Sequence, residues 1–217
     1  MAPELAYQKF LLEINKGNTQ FNIACDRARF ALYINKEKHS WVNDNLKNKD
    51  SILIDNLREI VTTEDLLSPT QTSNFAEFKI TTDFYEAISV KVEAKRGDCK
   101  RTIYSREVKN QNKNVFEFDE NQSPDFDYEW TFHSFQSDSL RVYRNDFGIL
   151  KATFEFYKVL PEFDIEGYIN LDGVPSADKS LPLSEQYMDM VISFAALEFM
   201  RDYQSALGIE IGKDRIK

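Results

Sequence analysis

The first 68 residues place apolar side chains at helical spacing. After Pro3, suited to the first turn of a helix, Leu5, Tyr7, Phe10, Leu11 and Ile14 share one face, and Gly17-Asn18 marks the end. Asp26 is placed to cap a second, longer helix, along which Phe30, Ala31, Ile34, Trp41, Val42 and Leu46 recur at steps of three, four and seven. A third helix is expected to follow from Asp50 or Ser51, with Leu53, Leu57, Ile60 and Val61 as its buried stripe and Leu66-Leu67-Ser68-Pro69 as its exit.

From about residue 76 the period changes from 3.6 to 2, because Ile88, Val90, Val92 and Ala94 alternate with Ala87, Ser89, Lys91 and Glu93. Arg96-Gly97-Asp98 predicts a turn, and residues 100–108 return as the partner strand of a hairpin. Further short strands are expected over 115–118, 128–132, 140–143 and 149–159. In the last of these Leu150, Ala152, Phe154 and Phe156 face one way, and Lys151, Thr153, Glu155 and Tyr157 the other. Fourteen of the 29 aromatic residues lie between Phe116 and Tyr168, so this region should hold an aromatic core. After Pro161, the stretch DIEGYINLDGVPSADKSLPL reads as an irregular link. Ser184 then caps a last helix whose apolar positions Tyr187, Met188, Val191, Ile192, Ala195, Leu197, Phe199, Tyr203 and Leu207 wrap more than half its circumference, with Met190, Phe194 and Ala196 filling gaps. Such a helix is enclosed by more than one neighbour. Gly208 offers a stop or kink before the tail IEIGKDRIK.

The expected fold is therefore α+β. A helical segment over 1–68 and the last helix and tail over 184–217 form one helical layer. An antiparallel sheet or small sandwich over 76–160 and the link 161–183 are inserted between them, giving one composite unit. No repeat is visible. The N-terminus MAPELAYQKF has an acid at position 4 and no long apolar run, so neither a signal peptide nor a membrane span is expected, which points to an intracellular protein.

Charge is uneven along the chain: −1 over residues 1–68, +2 over 69–118 and −10 over 119–217, for a total of −9. That argues against a general grip on nucleic acid, which needs Lys and Arg to displace phosphate counterions. Two His, two Cys and seven scattered Gly leave little material for a catalytic site. His39 and His133 are 94 positions apart with no ligand spacing around both, and a transition-metal site takes three or four ligands. Cys25 and Cys99 are expected to be free and buried, although Cys25, beside a helix start, is where a thiol pKa can fall. No nucleotide-, phosphate- or zinc-binding signature and no nucleophile elbow is present, so neither a cofactor nor a metal is expected.

Two charged clusters remain. Asp119, Glu120, Asp125, Asp127 and Glu129 could form a divalent-cation site or a hydrolytic carboxylate pair, but they lack the glycine and the terminal glutamate of a calcium loop. Their alternation with Phe126, Tyr128 and Trp130 also fits the solvated face of a strand. Lys95, Arg96, Lys100 and Arg101 flank the hairpin turn, where they could meet a phosphate or an acidic partner or simply keep the tip soluble.

The stretches YQKFLLEINKGNTQFNIACDRARFALYINKEKHSWVNDNLK, KATFEFYKVLPEFDIEGY and LPLSEQYMDMVISFAALEFMRDYQS resemble neck proteins of tailed phages that infect Bacteroidota, notably the crAss-like phages. The resemblance spans about half the chain and is one of pattern, with little contribution from residues 76–135. It implies a head–tail connector without catalytic residues or cofactors, related in architecture to podovirus tail adaptors. The implied subunit assembles as a ring, commonly twelvefold, docks on the portal and on other neck or tail proteins, and resides in the virion. A symmetric ring needs two unlike faces on each subunit. The residues expected to supply oligomer or partner contacts are Lys95, Arg96, Lys100, Arg101, Tyr187, Met190, Phe194, Tyr203, Ile209 and Ile211. The alternatives are a non-catalytic protein- or carbohydrate-binding β-module with helical flanks and a metal-dependent hydrolase using Asp125, Asp127 and Glu129.

Overall fold

The computed structural model describes residues 1–16, 23–48, 57–109, 123–170 and 172–214, without the side chains of Asn48 and of residues 205–214. The fold is α+β, and the chain divides into two compact units: Met1–Ile60 with Leu160–Lys217, and Val61–Val159. The proposed stops at Gly17-Asn18 and the start of a third helix near Asp50 lie outside the described residues, as does the strand expected over 115–118.

In the helical unit, α1 (Pro3–Asn15) begins with Pro3 in its first turn and buries Pro3, Ala6, Phe10 and Ile14, leaving Leu5 and Leu12 exposed. Helix α2 (Arg27–Asn48) is capped as expected: the Arg29 N–H donates to Asp26 Oδ1 at 2.8 Å. The long helix α3 (Glu185–Asp214) follows Ser184 directly and runs through Gly208 without the expected stop. Both α1 and α2 pack on α3 along their length, and meet each other through side chains near the start of α2. An aromatic cluster joins them: Phe30 lies 5.2 Å from Tyr7, 5.0 Å from Phe10 and 5.5 Å from Phe163, and Phe199 meets both Phe10 and Tyr33. The enclosure expected of α3 holds on the side of Met188, Val191, Ile192, Ala195, Ala196 and Phe199; Phe194, Leu197 and Tyr203 remain exposed.

The buried stripe of α2 includes Lys38, at 0% exposure, between Ile34 and Trp41. Its ammonium donates to Pro161 O at 2.6 Å and to Asn35 Oδ1 at 2.7 Å, while Asn35 exchanges two 2.8 Å hydrogen bonds with the backbone of Phe163. Two polar side chains thus tie the link after Pro161 to α2. The link folds back on itself through bridges Asp164↔Lys179 and Ile169↔Pro175. Burial opposes the Asp164 charge, but the Tyr168 hydroxyl and the Ile165 and Ala177 amides hold its carboxyl below the usual value.

Burial pulls the Lys38 pKa down from 10.5 to about 8, against a smaller upward pull from Glu162. Between those two values the unfolded chain keeps a proton that the folded chain has released, so stability rises with pH across that window. Relative to Lys38→Met, the wild type should gain up to about 3 kcal/mol of unfolding free energy from pH 8 to pH 10.5. A difference that stays flat in parallel denaturant titrations would refute this.

The described residues of the second unit form one eight-stranded sheet in the order β1-β8-β4-β5-β6-β7-β3-β2. Its strands are β1 (Val61–Leu67), β2 (Thr70–Gln71), β3 (Phe75–Lys79), β4 (Phe84–Arg96), β5 (Cys99–Glu107), β6 (Trp130–Gln136), β7 (Ser139–Tyr143) and β8 (Gly148–Lys158). All neighbours are antiparallel except β5 and β6, which run parallel from Tyr104↔Trp130 to Glu107↔His133. Because β3 also touches β1 and β8, the sheet curls and closes a core around its own inner face. Val90, Val92, Ile103, Leu140, Val142, Ala152, Phe154 and Phe156 fill that core.

Three expectations are corrected. The helical segment ends at residue 60, where a turn of 3-10 helix (Arg58–Ile60) precedes β1; residues 61–67 are strand, because Val61, Thr62 and Thr63 pair with Tyr157, Phe156 and Glu155 of β8. The alternation of β4 and β8 is broken by bulges. The register steps from Ala87↔Phe156 to Ser89↔Glu155 and from Glu93↔Lys151 to Ala94↔Ile149, so Ile88 and Leu150 turn outward while Ile149 is buried. Residues 125–129 form a turn in place of a strand, since Asp125 Oδ1 accepts the N–H groups of Asp127 and Tyr128 and Glu129 takes a φ of 54°.

Candidate docking surfaces

In the sheet unit the two charged clusters meet each other. The hairpin turns at Gly97 and Asp98, with Gly97 at a φ of 60°, and carries Arg96 and Arg101 on adjoining strands. Arg96 donates to Asp127 at 2.5 Å and to Asp146 at 2.9 Å, and Arg101 lies 3.5 Å from Glu129 and donates to Asp127 O. Both guanidinium groups also sit over the ring of Phe126, at 4.7 and 5.2 Å. The hydrogen bonds that Arg96 donates to Asp127 and Asp146 raise its pKa, and Arg96 in turn lowers that of Asp127. Lys100 pairs with Glu93 at 3.0 Å, and Lys95 is exposed. Asp119 and Glu120 lie outside the described residues. Arg96 and Arg101, expected to reach a partner, are therefore engaged within the chain, and Asp127 and Glu129 are their counter-ions.

The two histidines fall in different units. His133, on β6, is buried, holds Ser105 Oγ at 2.8 Å through Nδ1 and has its pKa pulled to about 4 by burial. His39, on α2, has its pKa lowered by burial and then by Lys38. Among the described residues no group of three or more His, Cys, Asp or Glu could hold a metal ion, and no helix is long and apolar enough to cross a membrane.

Both cysteines are free. Cys25 is buried, but Cys99, at the start of β5, is exposed, contrary to expectation. Burial and then Asp26 push the Cys25 thiol up to about 11, which outweighs any activation by the neighbouring helix start. A thiol reagent at neutral pH should therefore modify Cys99 rapidly and Cys25 only after denaturation. Two fast thiols in the native protein would contradict that assignment.

The remaining predicted contact residues lie along α3. Tyr187 packs 5.6 Å from Trp41, and Tyr203 is exposed one turn beyond Phe199. The side chains of Ile209 and Ile211 lie outside the described residues. Met190 and Phe194 line a groove of about 200 Å³ between α2 and α3, with Glu37, Ser40, Trp41, Asp44 and Asn45 on its other side. The two helices run antiparallel there, held by Tyr33 to Asp202 at 2.8 Å and Lys36 to Glu198 at 2.5 Å. Burial, and then Glu198, push the Glu37 carboxyl upward. Trp41 Nε1 is buried without a hydrogen-bond acceptor among the described residues. Leu197, 67% exposed, follows Phe194 at a spacing of three and extends the apolar face past the groove. Trp41, read in the sequence as core, thus also lines a surface; the signal for this was Glu37, Ser40 and Asp44 around it, too polar for a closed interface.

No protein-family model matches the chain, and no curated protein matches it. Its class is accordingly defined by the fold, an α+β chain whose described residues form three α-helices in one unit and a curled mixed sheet in the other.

Proposed function

We propose that this chain is a structural subunit of a phage neck: a head–tail connector that forms a homo-oligomeric ring around the DNA path and joins the portal to further ring or tail proteins. The observation that carries this reading is the apolar face of α3, where Phe194 and Leu197 stand 44% and 67% exposed beside a groove floored by Trp41 and Met190. An apolar face of this kind fits a contact surface. The resemblance of the terminal stretches to neck proteins supports the same role, since α1, α2 and α3 come together in one unit. The work assigned to the chain is contact, with no catalysis and no cofactor. The net charge of −10 over residues 119–217 suits a bore through which DNA slides without sticking, because like charges repel.

Antibodies raised against the purified chain and gold-labelled on intact virions test the assignment. The expected result is label at the neck between head and tail. Label on capsid faces or fibres, or virions that lack the protein, would overturn it.

A further inference from the structure

The groove between α2 and α3 is built for an occupant. Its floor is apolar, and its rim carries the carboxylates of Glu37 and Asp44. An apolar side chain seated there gains contact area. The acidic rim selects basic flanks.

One stretch of this chain has that chemistry. Residues 213–217 read KDRIK, with Ile216 between Arg215 and Lys217, and hold three of the nine basic residues in the acidic stretch 119–217. Helix α3 ends at Asp214, which at 1.5 Å per residue is about 30 Å beyond Phe194. Residues 215–217 span at most about 10 Å, too little to return to their own groove. Groove and segment are therefore unlike surfaces at separate places on one subunit, the requirement for head-to-tail association that closes into a ring.

We propose that the α2–α3 groove binds residues 213–217 of a second copy of this chain, with Ile216 against Trp41 and Phe194 and with Arg215 and Lys217 facing Glu37 and Asp44. The docking deepens the connector reading and rests on it for its place in a ring.

Sedimentation velocity of the full chain and its variants tests it. Deleting residues 213–217, or changing Asp44→Lys or Arg215→Glu, is expected to weaken self-association by at least about tenfold, and the two charge reversals together should restore it. A synthetic peptide of residues 207–217 should bind the deletion variant in calorimetry, and Phe194→Arg, at an exposed position, should abolish that binding. A full chain that stays monomeric overturns the proposal, as does a deletion that associates normally or peptide binding that survives Phe194→Arg. Association lost through Ile169→Ser at the exposed link tip, but kept after the deletion, also overturns it by moving the contact elsewhere. Gold label at the neck with normal assembly of the deletion variant would sink the docking alone; a binding peptide with no label on virions would sink the connector reading alone.

Discussion

Phe154→Ala is expected to lower stability by about 3–5 kcal/mol. Phe154 is fully buried on β8, paired with Glu64 of β1 on one side and Val90 of β4 on the other. Its ring meets Phe156 at 4.5 Å, Phe84 at 5.1 Å and Phe135 at 5.5 Å, so truncation opens a cavity shared by several strands that cannot all collapse into it. Leu150→Ala, four residues earlier on the same strand, should cost only about 1 kcal/mol, because the bulge turns that side chain outward and leaves it 37% exposed. Amide exchange of β4 and β8 measures both. A Leu150 variant that loosens these strands as much as the Phe154 variant would refute the register.

Ending the chain at Ser184 is expected to unfold the helical unit. Helices α1 and α2 both pack on α3, so its removal exposes one face of each and leaves them joined through Phe30 with Tyr7 and Phe10. Met188, Val191, Ile192 and Phe199 are buried against them. At about 1.5–3 kcal/mol for each large side chain, the four together contribute about 6–12 kcal/mol, comparable with the whole stability of a typical domain. The ties of Lys9 to Glu185 and Asp189 would go as well, though such exposed pairs add little. The truncated chain should lose the protection of α1 and α2 amides and associate nonspecifically. A soluble truncation with those amides still protected would show that α3 is dispensable.

Local signals were readable where a side chain's neighbours in sequence are also its neighbours in space. Asp26 caps α2 through the amide of Arg29, three residues on, and Gly97 turns the β4–β5 hairpin by its own positive φ. The stripe Phe30, Ala31, Ile34, Trp41, Val42 was equally plain, and the missing turn in it proved to be Lys38, whose burial depends on the carbonyl of Pro161, 123 residues away. The same limit explains β1. The segment 61–67 has an apolar stripe that a helix or a strand could bury, and only its pairing with β8 decides between them. At the candidate sites, the sequence named Met190, Phe194 and the four cations of the hairpin, but it could not say that Arg96 and Arg101 are held by Asp127, Asp146 and Glu129. Nor could it place Trp41 beside Met190.

The sequence by itself determined the α+β class, the helical ends around a β-rich middle, the hairpin and the scarcity of reactive side chains, because each follows from composition or from periodicity over a few turns or residues. Only the tertiary structure decided the order and curl of the eight strands, the outward turn of Ile88 and Leu150, the mutual neutralisation of the charged clusters and the groove between α2 and α3. Each of those depends on which distant backbone supplies a hydrogen bond or which distant charge supplies a counter-ion, and local pattern carries no information about either.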